Sequence, residues 1–192
     1  ARHYRDARIN RIFEGTNEIN RLFAVSELLK RAGKLSLLSA IKQVMADAIS
    51  SGLPGLLIEQ ENLNAQLFGC LNNAKRAVLL AGGAISQKFT EPKELLQHQY
   101  VLGQLCDCLI EIYVLESALA VLAKSGGVDG RRAYLTRLLF AQLLPALGEQ
   151  VKNVLAVCVQ GDNLRTSLAM ARRFLKTDPE NMEFLHDKIL GA

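Results

Sequence analysis

Residues 101–122, VLGQLCDCLIEIYVLESALAVL, decide the fold class. Leu105, Leu109, Ile112, Leu115, Leu119 and Leu122 recur at three- and four-residue steps and line one helical face. Cys106, Ile110, Tyr113 and Val121 line a second face, so apolar groups cover much of the circumference. That coverage predicts the central, most buried helix of a helical protein, opened at Glu91-Pro92 where a first-turn proline needs no amide hydrogen. Asp107, Glu111 and Glu116 fall on its edges. With no His or second acidic pair beside them, they are expected to be solvated or paired with Arg.

Outward from this helix the same period continues in both directions. Upstream, Leu67, Leu71, Ala74, Val78 and Ala81 form a seam, followed by Gly82-Gly83, which could end the helix or admit a close crossing. The pair is no phosphate loop, because the strand and the Lys-Ser/Thr ending are missing. Downstream, residues 125–130, SGGVDG, make the clearest turn. Arg131 to Gln160 then reads as a long helix, which Pro145 should kink or end. Asp162 is expected to cap a further helix, and Asp178-Pro179-Glu180 to open the last one, which stops at Gly191. The architecture this predicts is all-α, with long antiparallel helices after Asn62 packed as a bundle.

Composition agrees. Of 192 residues 49% are apolar, with 4 Pro and no Trp, which fits a packed helical chain rather than a disordered or turn-rich one. The net charge of +4 is modest and its Lys and Arg alternate with Asp and Glu, so no nucleic-acid partner is implied. Cys70, Cys106, Cys108 and Cys158 sit in apolar patterns and read as buried thiols of a reducing, intracellular compartment. Cys106 and Cys108 point to different helical faces and His3, His98 and His186 are scattered, so no metal site is expected. No apolar run approaches the roughly 18 residues of a membrane-spanning helix, and the N-terminus lacks a signal-peptide profile.

The chemistry-bearing stretch is the first one. Ile9, Ile12 and Phe13 keep helical spacing, Gly15 interrupts it, and Ile19, Leu22, Phe23 and Val25 resume it. Glu14 therefore stands at a helix–helix junction beside a glycine, where rigid elements hold a carboxylate and irregular backbone can approach a ligand. The alternative is structural: Glu14 closes a helix and Thr16 caps the next. Arg2, Arg5, Arg8 and Arg11 recur every third residue, either as a solvated face or as a contact for phosphates or a neighbouring subunit. Ser36 to Ser51 reads as an amphipathic helix and Leu53 to Ile58 as an apolar loop. The two tuck under the body or meet a membrane surface, though the polar face is poor in the basic residues typical of surface binding.

The run Arg5-Asp6-Ala7-Arg8-Ile9, then Ile12-Phe13-Glu14-Gly15-Thr16-Asn17-Glu18-Ile19 and Arg21, resembles the signature near the end of the catalytic core of flavin-dependent acyl-CoA dehydrogenases. Phe13, where many members have Tyr, and the long helical continuation look most like the very-long-chain branch with its C-terminal extension. The resemblance implies that Glu14 is the base that removes the α-proton of a fatty acyl-CoA, that Gly15 lets the thioester pass, and that Thr16, Asn17 and Glu18 contact FAD. It further implies an electron-transfer acceptor and a homo-oligomer, in the cytoplasm or at a membrane if bacterial and in mitochondria if eukaryotic. On this reading residues 1–34 end the catalytic helical domain, 35–61 connect, with membrane contact through 36–60, and 62–192 form the extension bundle. Because the match begins at the first residues, the chain is expected to be a C-terminal fragment that alone binds no FAD and has no activity. The competing expectation is a non-catalytic helical docking module for a membrane or a partner.

Overall fold

A computed structural model describes residues 2–34, 63–125, 130–177 and 179–191. The described residues form helices and turns with no strand. In chain order the helices are α1 (Arg2–Ile9), α2 (Asn17–Lys34), α3 (Leu63–Lys88), α4 (Pro92–Gln97), α5 (Gln99–Lys124), α6 (Arg131–Cys158), α7 (Gly161–Phe174) and α8 (Met182–Leu190). The expectations for Ser36 to Ser51, for Leu53 to Ile58 and for the middle of the glycine turn at 126–129 lie outside the described residues.

The expected bundle is present, with α5 packed against α2, α3, α4 and α6 as a central helix should be, but the most buried helix is α3. On α3 burial extends past the seam of Leu67, Leu71, Ala74, Val78 and Ala81 to Ala77, Leu80 and residues 82–85. The helix packs against α5, α6 and α7. Small buried side chains, Ala77, Ala81 and Ala84, let neighbours close around it. The chain stays helical through Gly82-Gly83 to Lys88, so the pair does not end the element. A β-carbon on Gly82 would meet nothing within 4 Å, which also argues against a tight crossing there. On α5 the first face is buried as expected at Leu105, Leu115, Leu119 and Leu122, and Cys106 joins it. Ile110, Tyr113 and Val121 instead face outward, 47, 72 and 55% exposed. A single apolar stripe is enough to seat α5, since each fully buried Leu contributes about 1.5–3 kcal/mol.

The long helix expected from Glu91 is broken. His98 leaves helical geometry at φ −92° and ψ 59°, and its ring lies 4.4 Å from that of Phe89, separating α4 from α5. Pro145 has the opposite outcome: α6 runs uninterrupted from Arg131 to Cys158 with the proline inside it. The proline is on the exposed side, where the carbonyl it leaves unpaired can reach water. α5 and α6 run antiparallel, as Asn153 donates to Gln104 (3.2 Å) and Gln150 to Glu111 (2.9 Å).

Two helix starts differ from expectation. α7 is preceded by Gln160 in extended backbone, and Asp162 lies in the first turn, paired with Arg165 at 3.2 Å. α8 starts after Asn181, whose side chain accepts from the Phe184 amide at 3.0 Å, rather than at Asp178-Pro179. Glu180 is drawn away by Arg137 of α6, which grips it with two bonds of 3.0 and 2.5 Å. Gly191 closes α8 in the left-handed conformation, as expected.

Candidate active site

The Glu14 junction is built by a helix that tightens before it stops. After Ile9 the amides of Asn10, Arg11 and Ile12 bond back three residues, to Ala7, Arg8 and Ile9, and Phe13 closes the turn on Ile9 at 2.9 Å. Glu14 then takes φ +56° and Gly15 φ +100°. Left-handed backbone at a glutamate costs about 1–2 kcal/mol relative to glycine. A helix end needing only this geometry would be better served by Gly or Asn. Among the described residues the Glu14 amide meets no carbonyl acceptor, so it remains able to donate outward.

Asn20 locks the turn from the far side. Its Nδ2 donates to the Gly15 carbonyl at 3.0 Å, and its own amide donates to the Thr16 carbonyl at 3.0 Å. A β-carbon on Gly15 would stand 2.9 Å from Asn20 Oδ1. The turn itself favours glycine here through its φ of +100°, and a side chain would also have to displace the end of Asn20. The Asn17 amide reaches back to the Arg11 carbonyl at 3.2 Å, which ties α2 to the end of the preceding turn.

Thr16 starts α2 by its carbonyl, while its hydroxyl bonds the carboxylate of Glu18. Glu18 also bonds its own amide, and these two donors, the amide foremost, hold its carboxyl below the usual range, with Arg21 and Arg11 helping. The structure thus brings Glu14, Gly15, Thr16, Asn17 and Glu18 into one turn. They lie on an exposed surface, since every residue from 2 to 20 is exposed. Arg2, Arg5, Arg8 and Arg11 are exposed too, with Arg2 3.7 Å from Asp6.

Around the junction lies a patch that does not suit water. Tyr4, Ile9, Ile12, Phe13, Ile19 and Phe23 are each 60% exposed or more. The first anchors to the bundle follow at once: Arg21 pairs with Asp107 of α5, and Val25 is fully buried.

The acidic residues of α5 divide. Asp107 is paired with Arg21 and Glu116 is solvated, both as expected, though Glu116 also pairs with Lys75 (2.7 Å) rather than with an Arg. Glu111 is a correction: it is neither solvated nor paired with Arg but accepts from Gln150, and its Oε2 is buried without a partner. Burial, reinforced by Asp107, raises its pKa, against the opposing Gln150 bond. Cys106 and Cys108 are buried, Cys70 and Cys158 half-buried, and none forms a disulfide. Burial, with Glu111 and Asp107 nearby, pushes the Cys108 thiol up to about 12. Among the described residues no group of three or more His, Cys, Asp or Glu is placed to hold a metal, and no helix is long and apolar enough to cross a membrane. Sequence reading missed Asn20, whose faint signal was a short amide five residues after Gly15, and foresaw an Arg partner for Asp107 without saying which.

Fold and site together describe a helical bundle carrying, on a helix–turn–helix at its edge, a glutamate in strained backbone. Residues 73–173 match the family described as acyl-CoA dehydrogenase, C-terminal domain, and the chain belongs to that family. The match does not include Glu14 to Glu18. The chain is 31% identical over 195 aligned residues to a "Probable acyl-CoA dehydrogenase" of Bacillus subtilis (strain 168), covering 94% of this chain and 31% of that protein. It also resembles the crystal structure of an acyl-CoA dehydrogenase complexed with FAD from Bacillus anthracis, with a TM-score of 0.85 and 28% identity over 98% of this chain and 32% of that one. The chain therefore spans about a third of the length of these relatives.

Proposed function

We propose that the chain is the C-terminal part of an FAD-dependent acyl-CoA dehydrogenase that converts a fatty acyl-CoA to the trans-2-enoyl-CoA, with Glu14 as the base. The observation that carries this is Glu14 itself, a glutamate held at φ +56° where a purely structural turn would favour glycine. Glu14 takes the α-proton, and its amide, which has no backbone acceptor among the described residues, donates to the thioester oxygen as negative charge develops there. Gly15 keeps side-chain bulk away from the approaching thioester. Thr16, Asn17 and Glu18 would hold the flavin cofactor, which when bound supplies the hydride acceptor. Their chemistry fits a hydroxyl or amide part of FAD better than its phosphates, because the Glu18 carboxylate already adds negative charge at the start of α2 and the Asn17 amide is taken by the Arg11 carbonyl. Phe13 and the long helical continuation favour the very-long-chain branch.

The chain alone lacks most of such an enzyme, so on its own it should neither bind FAD nor turn over. Residues 1–34, 35–61 and 62–192 remain our proposed division, with peripheral membrane contact through 36–60. In the full-length protein, Glu14→Gln should lower turnover about 10²- to 10⁴-fold with flavin content and melting temperature kept. Retained turnover would instead favour the docking-module reading, in which Glu14 does no chemistry.

A further inference from the structure

The Glu14 turn has no buried residue of its own, since positions 2 to 20 are all exposed. What holds it in place begins at position 21. Arg21 Nη2 meets Asp107 Oδ1 and joins α2 to α5, with the two side chains 39 and 22% exposed. Leu22 packs half-buried, and Val25 is fully buried one turn on. Among the described residues the other ion pairs between elements, Lys75–Glu116 and Arg137–Glu180, do not involve α2. Apolar contacts at Leu22 and Val25 are non-directional and tolerate small slides and rotations of a helix. A charge-assisted hydrogen bond fixes a distance and a direction.

We propose that Asp107 is a positioning residue for the Glu14 site. By holding Arg21 it sets the rotation and axial position of α2. Asn20, one residue before Arg21, transmits that setting to the turn through its bonds to the Gly15 and Thr16 carbonyls. The inference rests on the role proposed for Glu14, because a base about an ångström out of place loses up to roughly 10²-fold in rate.

The test uses the full-length FAD-loaded protein and an acyl-CoA substrate. Asp107→Asn should lower kcat about 10- to 100-fold with KM and flavin content little changed. The reversed pair, Arg21→Asp with Asp107→Arg, should recover much of the loss, and Lys75→Ala, which breaks a pair away from α2, should leave kcat unchanged. In parallel, the amides of Asn17 and Asn20 should exchange hydrogen several-fold faster in Asp107→Asn. Unchanged kcat together with unchanged exchange would overturn the proposal, as would a fall in melting temperature and flavin content that accounts for all lost activity. If the unaltered protein does not oxidise acyl-CoA, the enzyme reading fails, and amide exchange still decides whether Asp107 sets the turn.

Discussion

Glu14 combines strain and charge in one residue, and substitutions can separate them. Gln keeps the φ problem and removes the charge, whereas Gly removes both. In the full-length protein Glu14→Gly should therefore abolish turnover while stabilising the turn by about 1 kcal/mol, read as slower amide exchange at Asn17 and Asn20. A second residue, Glu111, makes stability depend on pH. Its carboxyl titrates above the ordinary 4.5 because burial disfavours the charged form. A carboxyl with a raised folded-state pKa holds its proton more tightly when folded. Its contribution is full below the unfolded value and fades as pH rises through the folded one. Glu111→Gln should then raise the melting temperature near pH 7 by an amount worth less than about 1 kcal/mol, since the group is only partly buried. The gain should shrink on acidification toward about pH 4, and a gap independent of pH would assign the effect to packing instead.

At the scale of elements, period and burial were readable to different degrees. The seam of α3 and the first stripe of α5 lie where three- and four-residue spacing put them, because tertiary contacts reuse the local pattern. Which helix becomes most buried was not readable. It depends on the small residues Ala77, Ala81 and Ala84 admitting neighbours, whereas hydrophobicity counts pointed to the bulkier α5. Helix starts were least legible, for a nonlocal reason: Glu180, which looked like part of an N-terminal signal, is taken by Arg137 across 43 residues, and Asn181 caps instead. The glycines of α3 offer a test. Gly82 is helical and buried, yet a β-carbon there has open space, so Gly82→Ala should stabilise the bundle by about 0.5–1 kcal/mol in denaturant unfolding. A loss of stability would mean that Gly82 does serve a close crossing.

For the whole molecule, the candidate site was legible only as a motif. Glu14 to Glu18 could be picked out by residue type and order, while Asn20 and Asp107 matter through contacts that no spacing announces. On the surface, Ile9, Ile12, Phe13, Ile19 and Phe23 are large apolar side chains on either side of the Glu14 turn in sequence, each 60% exposed or more. The purified chain should self-associate with rising concentration, seen as an increasing sedimentation coefficient. Ile12→Glu with Phe23→Glu should suppress this without lowering the melting temperature, since neither side chain is in the core.

The bareness of positions 2 to 20 also bears on time. A segment with no buried side chain has almost no folding free energy of its own and opens long before the bundle does. The bundle can be complete and cooperative while the Glu14 turn still samples other shapes. On this account folding and ordering of the turn are separate events: the scaffold sets first, and the strained glutamate, held through Asn20 and Arg21, settles after it.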